Sequence, residues 1–207
     1  MSKPVIILGN GGHAAVLTEV LLMLDRDILG FTAPEYQGNH YSIPYLGTDE
    51  CIDQYSPNEV ELVLGIGTVH INQIREKIYK QFKEKSYSFA SVIHPSSILS
   101  STVQLGEGVQ ILAGSIIQSK AQISENCIIN TGSIIEHSCE VHAHVHIAPG
   151  CKLSGGVTLG EGCHIGTGAT IIQNITVGQY SLVGAGAVVI KNIGSYKKVI
   201  GVPAKEV

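Results

Sequence analysis

At 207 residues, the chain is long enough for one large domain or two small ones. Its 17 acidic and 13 basic residues give a net charge near −4, so neither nucleic acid nor an anionic membrane surface is expected as a partner. No apolar run approaches the ~20 residues needed to span a bilayer. The N-terminus also lacks the basic and apolar regions of a secretory signal. We therefore expect a cytoplasmic protein without membrane insertion.

The first part of the chain, residues 1–90, is predicted to be a small α/β unit with a Rossmann-like βαβ arrangement. An aliphatic run at residues 5–8 precedes the segment Gly9-Asn10-Gly11-Gly12-His13-Ala14. The apolar pattern of a helix follows, which predicts a strand, a glycine turn and a helix. Such a turn places backbone N–H groups and the helix dipole against a phosphate. A tight turn that binds no ligand is the alternative. The helical pattern is formed by Val16, Val20, Leu21 and Leu24.

Two more strands, at residues 28–32 and 61–66, and a helix at 71–82 are expected in this unit. The helix should bury Ile71, Ile74, Ile78 and Phe82 and direct Arg75, Lys77 and Lys80 outward. A dinucleotide enzyme places an acidic residue after its second strand to hold a ribose. Thr32-Ala33-Pro34 stand there, and Glu35 follows. The unit is too short for a full dinucleotide-binding domain.

From Ile93 to Val189, every sixth residue is Ile, Leu or Val, without a break over seventeen hexads. The residues four positions further along are mostly small, and none is charged. A period of six fits neither a helix face nor an alternating strand. It predicts a coil of short straight sides and tight corners whose stacked rungs bury an aliphatic column. The triangular left-handed parallel β-helix of the hexapeptide-repeat acyltransferases has this signature, and we expect it over residues 91–193.

Four of the five cysteines occupy the small inward positions of the hexads, twelve residues apart: Cys127, Cys139, Cys151 and Cys163. Because three sides of six residues complete a rung, none of the four should lie directly above another. No C-x-x-C spacing occurs, which argues against a zinc site or a redox disulfide. We expect buried thiols that fill the core.

Four histidines, His137, His142, His144 and His146, fall within ten residues. The register places His137 at a corner and His146 outward on a side, with His164 stacked above it. Neutral imidazole suits a base that removes a proton from an acceptor, and a preorganised N–H suits the stabilisation of a carbonyl oxygen. His137 and His146 lie on opposite edges of one prism, roughly 20 Å apart. Both can therefore act on one carbonyl only if they come from neighbouring subunits, as in a side-by-side trimer.

Two other interpretations of these histidines stay open. His142 and His144 are interpreted as exposed polar residues of a solenoid. The spacing of His137 and His142 is like that of the γ-class carbonic anhydrases, which bind a metal with three histidines on this type of β-helix. The positions for a third ligand carry no imidazole, so no metal is expected; they are Ser101, Ser119 and Gly155.

The whole chain resembles one branch of the hexapeptide-repeat acyltransferase superfamily. The resemblance rests on the Gly-Gly-His unit, the segment Asn130-Thr131-Gly132-Ser133-Ile134-Ile135-Glu136-His137, the histidine nine residues further on, and Gly201-Val202-Pro203-Ala204-Lys205. That branch contains the bacterial N-acetyltransferases of nucleotide-linked 4-amino sugars and the sialic-acid O-acetyltransferases. The resemblance implies a homotrimer that moves acetyl directly from acetyl-CoA to such an amino group. The alternatives are O-acetylation of sialic acid or another glycan sugar, non-catalytic binding of a sugar nucleotide, and a metal hydratase like the γ-class carbonic anhydrases.

The resemblance also implies roles for individual residues. His137 would be the general base, His146 would bind the acetyl carbonyl, and Asn130 would line the same site. The family usually has an acidic residue directly after the base. Ser138 stands there in this chain, Glu136 precedes the base and Glu140 is near; Glu136 is the candidate catalytic carboxylate.

Substrate contacts follow from the same resemblance. The nucleotide sugar would contact the glycine turn, its histidine and the glycines after the third strand: Gly9, Gly11, Gly12, His13, Gly65 and Gly67. Coenzyme A would lie in a groove between two β-helices. The tail at residues 194–207 would close this groove near the coenzyme A. Its expected contacts are His146, Gly155, Thr167, Ala185, Pro203 and Lys205.

Overall fold

The computed structural model describes residues 2–36, 38, 41–68 and 73–207. An N-terminal α/β unit is followed by a left-handed parallel β-helix, which confirms the predicted fold class. Within the described ranges, every helix is too short or too polar to cross a lipid bilayer.

The N-terminal unit is built on one four-stranded parallel sheet with the strand order β3-β2-β1-β4. The strand β3 was not predicted, and β4 is two residues shorter than expected. In chain order, the elements are β1 (Val5–Leu8), α1 (Gly12–Met23), β2 (Ile28–Thr32), β3 (Tyr45–Gly47), a 3-10 helix (Asp49–Gln54), β4 (Glu61–Leu64) and α2 (Ile74–Glu84).

Helix α1 buries a face that is shifted from the predicted one and includes Ala14, Leu17 and Thr18. Val20 and Leu21 are buried, whereas Val16 and Leu24 are each 40% exposed. All four residues of β1 are buried, as expected for the central strand of a parallel sheet covered on both faces.

Helix α2 differs from the prediction at its first turn, whereas Phe82 near its end is buried as predicted. Ile71 lies outside the described residues, and Ile74 is 49% exposed. Arg75, expected to face solvent, is only 3% exposed. Its Nη1 donates hydrogen bonds of 2.8 Å to the carbonyl oxygens of both Leu64 and Ile66. The reversal arises because the carboxyl end of β4 offers two carbonyl acceptors that need a donor.

The β-helix consists of two-residue strands that recur every six residues, β5 to β21. Every third strand pairs in parallel, so the strands form three faces. The aliphatic positions fill the interior, and those of the first three hexads are partly buried. The strands are Val92–Ile93, Ile98–Leu99, Gln104–Leu105, Gln110–Ile111, Ile116–Ile117, Gln122–Ile123, Ile128–Ile129, Ile134–Ile135, Glu140–Val141, His146–Ile147, Lys152–Leu153, Thr158–Leu159, His164–Ile165, Thr170–Ile171, Thr176–Val177, Leu182–Val183 and Val188–Val189.

The interior cysteines and the tail complete this half of the chain. The four cysteines of the hexads are free and buried, as predicted. Strand β22 (Lys198–Ile200) pairs in parallel with β20 and antiparallel with β23 (Lys205–Glu206). Pro203 and Lys205 are exposed on this final hairpin.

Candidate active site

The glycine turn after β1 brings the start of helix α1 to an open cleft. Gly9 adopts φ +107°, and a Cβ there would lie 3.2 Å from Ile66 Cγ1, so this position requires glycine. Gly11 caps α1 without a side-chain hydrogen bond. The first N–H groups of the helix therefore stay available for an anionic ligand.

The first cleft, which we call the glycine-turn cleft, has a volume of about 650 Å³ and is lined by residues of both the N-terminal unit and the β-helix. All six residues predicted to bind the nucleotide sugar line it. Its lining residues are Gly9, Asn10, Gly11, Gly12, His13, Val16, Pro34, Gly65, Ile66, Gly67, Thr68, Leu112, Asn130 and His146.

A second cleft, the rung cleft, has a volume of about 370 Å³ and runs along one face of the β-helix. Thr167 and Ala185, two predicted coenzyme A contacts, line this cleft, whereas Gly155, Pro203 and Lys205 are not among its lining residues. The two clefts meet at Thr68, Asn130 and His146. The other lining residues of the rung cleft are Ala148, Pro149, His164, Gly166, Leu182, Val183 and Gly184.

His146 stands at the junction of the two clefts. Its side chain points outward from β14, but the N-terminal unit covers it and leaves only 8% exposed. Its Nδ1 lies 2.7 Å from Thr68 Oγ1, and its Nε2 lies 3.4 Å from Asn130 Nδ2. The ring of His164, one rung away in the same sheet, meets it edge-on at 5.0 Å, as the register predicted. Burial, aided by His164, lowers the pKa of His146 to about 3, so the ring is neutral at physiological pH.

His13 joins the two halves of the chain. Its Nε2 lies 2.7 Å from Gln110 Oε1, and Gln110 Nε2 donates to the Leu64 carbonyl oxygen at 2.9 Å. The amide is thereby oriented so that His13 Nε2 carries the proton and Nδ1 is the acceptor. Burial, with a smaller effect of the Arg75 charge, lowers the pKa of His13 to about 4.

We expect the free energy of unfolding to fall as the pH is lowered from 6.5 towards 5. In this window the unfolded chain binds protons that the folded His13 and His146 exclude, because their folded pKa values lie near 4 and 3. Each contributes a slope of ~1.4 kcal/mol per pH unit. Urea titrations of the wild type and of His13→Gln should show a smaller pH slope in the variant, and equal slopes would contradict the burial of a neutral ring.

His137 lies away from this junction. It is exposed at the corner between β12 and β13, with Nδ1 3.5 Å from Ser138 Oγ. Gly155, one rung on, lies directly against the ring: a Cβ there would approach His137 Nε2 to 2.5 Å. Glu136 is partly exposed beside it, and its backbone N–H donates to the Leu153 carbonyl oxygen. Among the residues that the structure describes, His137 lines neither cleft.

The two histidines between His137 and His146 differ from one another. His142 is exposed, as expected, but the prediction for His144 is wrong, because its ring is half-buried. It packs edge-on against Tyr79, with centroids 5.5 Å apart, and its Nδ1 lies 2.9 Å from Asn126 Nδ2. His144 also adjoins Glu76 and Glu161. Both carboxylates are engaged by Lys80 and by the Tyr180 hydroxyl.

At the end of β2, where a dinucleotide enzyme has an acidic residue, this chain has Thr32, and the next carboxylate along the chain is Glu35. Thr32 is buried, and its hydroxyl donates to Asp49 Oδ1 at 2.5 Å. Glu35 lines a cleft of about 220 Å³ together with Asn10 and Gly11, beside the start of α1. A carboxylate is therefore present next to the glycine turn, three residues later than the usual position.

Comparison with known proteins gives the family. Residues 4–82 match the family described as the PglD N-terminal domain. A crystal structure of a histidine-to-alanine variant of GDP-perosamine N-acetyltransferase from Caulobacter crescentus, in complex with CoA and GDP-perosamine, is 33% identical, covers all of this chain and 98% of that one, and has a TM-score of 0.93. The chain belongs to the nucleotide-sugar N-acetyltransferase branch of the hexapeptide-repeat acyltransferases.

A second member of the family agrees over the full length. The acetyltransferase domain of PglB from Neisseria gonorrhoeae, in complex with acetyl coenzyme A, is 31% identical, with complete coverage of both chains and a TM-score of 0.94. WeeI from Acinetobacter baumannii has the same fold at 22% identity, again with complete coverage of both chains and a TM-score of 0.88. A comparison with functionally curated proteins returned no match.

Proposed function

We propose that this chain transfers the acetyl group of acetyl-CoA to the 4-amino group of a nucleotide-linked deoxy sugar. The observation that carries the proposal is the meeting of the two clefts at His146. One cleft comes from the glycine turn and the other runs along the β-helix, so two substrates can reach one imidazole. The similarity to an enzyme crystallised with CoA and GDP-perosamine supports the same reaction class.

The glycine-turn cleft suits a nucleotide sugar. The first N–H groups of α1 favour a diphosphate, and Glu35 beside Gly11 supplies acceptors for ribose hydroxyl groups. His13 offers Nδ1 as an acceptor, because its Nε2–H is bound to Gln110. The sugar would then extend from the helix terminus towards Asn130 and His146.

The rung cleft suits acetyl-CoA. Small residues, Ala148, Gly166, Gly184 and Ala185, leave room for an elongated ligand against the backbone of successive rungs. The cleft ends at His146, which would place the thioester carbonyl oxygen within reach of an imidazole N–H. Gly155, Pro203 and Lys205 would contact the donor only across a subunit boundary.

The general base would come from a neighbouring subunit. Within the described part of the chain, His137 lines neither cleft, so we place it at the cleft junction of the next subunit in a homotrimer. The amine nitrogen attacks the thioester carbon, and His137 takes a proton from that nitrogen. His146 stabilises the oxyanion, the C–S bond breaks, and the CoA thiolate leaves and takes up a proton. Glu136 is the proposed carboxylate that assists His137.

The burial of the β-helix cysteines favours direct transfer of the acetyl group over a mechanism with a covalent acyl-cysteine intermediate. All four cysteines of the β-helix are buried, and burial raises the pKa of each thiol. Buried, protonated thiols are poor nucleophiles.

The cytoplasmic location and the boundaries of the two domains and the tail remain predictions.

The test is a transfer assay with acetyl-CoA and GDP-, UDP- and dTDP-linked 4-amino sugars, followed through the release of free thiol. Free sialic acid serves as the comparison acceptor. Turnover on at least one amino sugar is the expected result. Turnover on sialic acid alone would replace the proposal with O-acetylation, and binding of a nucleotide sugar without turnover would replace it with a non-catalytic binding protein.

A further inference from the structure

Gln110 connects the β-helix to the N-terminal unit through a side chain that points outward from its strand. It precedes the inward Ile111 on β8 and is only 1% exposed, because the N-terminal unit covers it. Its Nε2 donates to the Leu64 carbonyl oxygen at 2.9 Å, and its Oε1 lies 2.7 Å from His13 Nε2. One amide group therefore contacts both the end of β4 and the first turn of α1.

The direction of both hydrogen bonds follows from the chemistry of the three groups. A carbonyl oxygen only accepts, so the amide atom next to Leu64 must be the NH₂ group. The amide oxygen then faces His13 and can only accept, so His13 Nε2 must donate. A neutral imidazole has one N–H, which leaves a lone pair on Nδ1.

The nitrogen that His13 can offer to a ligand is thus an acceptor. His13 lines the glycine-turn cleft, and its Nδ1 forms no hydrogen bond with any residue that the structure describes. Diphosphate oxygens carry no proton at physiological pH and cannot donate to a lone pair. They fit the backbone N–H groups at the start of α1 instead. The hydroxyl groups of a nucleotide sugar, on the ribose or on the hexose, can donate to Nδ1.

We infer that Gln110 is a positioning residue that holds His13 as the Nε2–H tautomer, so that Nδ1 accepts a hydrogen bond from a hydroxyl group of the nucleotide sugar. The identity of the ligand rests on the proposed function. Which nitrogen of a neutral imidazole carries the proton is set by such a fixed partner. Without the amide, the Nδ1–H form becomes available, and the ligand hydroxyl loses its acceptor. The Leu64 carbonyl oxygen keeps a second donor, Arg75 Nη1, at 2.8 Å.

The tautomer is measured without any ligand, by nitrogen-15 NMR of the histidine-labelled protein with the His13 signals assigned by comparison with His13→Ala. The proton should be on Nε2 in the wild type, whereas Gln110→Met should populate the Nδ1–H form. The matched control is Gln122→Met, because Gln122 also precedes an inward isoleucine but is exposed; it should keep the wild-type tautomer. A wild-type ring protonated on Nδ1, or an unchanged tautomer in Gln110→Met, would overturn the inference.

Calorimetric binding tests whether Gln110 acts through His13. The ligand is the nucleotide sugar that binds the wild type most tightly among GDP-, UDP- and dTDP-linked 4-amino sugars. Gln110→Met should raise its Kd ~3–10-fold, the cost of one neutral hydrogen bond, and Gln122→Met should leave it unchanged. In a His13→Ala background, Gln110→Met should raise the Kd by less than about twofold more, because the two residues act as one unit. The full loss in both backgrounds would indicate a purely structural role and overturn the inference.

Two further measurements separate the possible hydroxyl groups and the alternative. If Gln110→Met also weakens the matching nucleoside diphosphate, the donor is a ribose hydroxyl; if it weakens only the nucleotide sugar, the donor is on the hexose. A His13 ring protonated on both nitrogens in the complex would be an imidazolium bound to the diphosphate and would overturn the inference. Normal binding without acetyl transfer would overturn the proposed function and leave the role of Gln110 in place.

Discussion

His137→Ala is expected to lower kcat for acetyl transfer by ~10²–10⁴, the usual contribution of a positioned general base. The amine must lose a proton as it attacks, and the imidazoles of His13 and His146 accept one poorly, because burial lowers their pKa values to about 4 and about 3. Steady-state kinetics with acetyl-CoA and the best nucleotide sugar from the panel measure the effect.

The matched control for this variant is His142→Ala. His142 is likewise exposed on the β-helix surface, five residues away, and lines neither cleft among the described residues. It should keep kcat within about twofold of the wild type, as a surface substitution away from the site does. Unchanged turnover in His137→Ala, or an equal loss in both variants, would remove His137 as the base.

His146→Ala is expected to lower kcat by ~10²–10³, the cost of removing one donor from an oxyanion site. The loss should fall on kcat, because the ring is proposed to bind the developing charge more strongly than the ground-state carbonyl. The KM for the nucleotide sugar should change by no more than about threefold. The same kinetic measurements, with both substrates varied, separate the two parameters.

His144→Ala controls for the loss of a half-buried imidazole from the same stretch of chain. It packs on Tyr79 and lies outside both clefts of the described structure, so its effect should be on stability and not on kcat. A His146→Ala variant with normal kcat and a raised KM would contradict the oxyanion role. Equal losses of kcat in the two variants would indicate general damage to the fold.

The fold was accessible from the sequence because its signal is periodic. Seventeen aliphatic residues at a spacing of six can all be buried in one column when the chain forms stacked three-sided rungs. Helix α2 shows where such patterns fail. An arginine followed by two charged residues predicts a solvated position, but the burial of Arg75 depends on carbonyl acceptors at the end of β4, in a different segment of the chain. Sequence patterns report apolar faces well, but they do not report which buried backbone groups need a donor.

The site was predicted in part. The glycine turn, His13, Asn130 and His146 do come together in one cleft. Thr68 and Gln110 were missed, because a threonine after a strand and a glutamine within a hexad carry no distinctive spacing. The position of Gln110 between the inward Val109 and Ile111 marks it as outward-facing, yet it is 1% exposed because the N-terminal unit covers that rung. Such residues are recognised only once the packing of the two halves is known.

The most direct test of a shared acetyl-transfer site is complementation between two inactive variants. His137→Ala and His146→Ala chains are co-expressed with different tags, and mixed oligomers are purified by both tags in turn. If each site takes His137 from one subunit and His146 from the next, each purified mixed cyclic trimer restores about one third of its sites. Activity on the nucleotide sugar should then return in the mixture, although each variant alone is nearly inactive. Purified mixed oligomers without recovered activity would contradict a site built by two subunits.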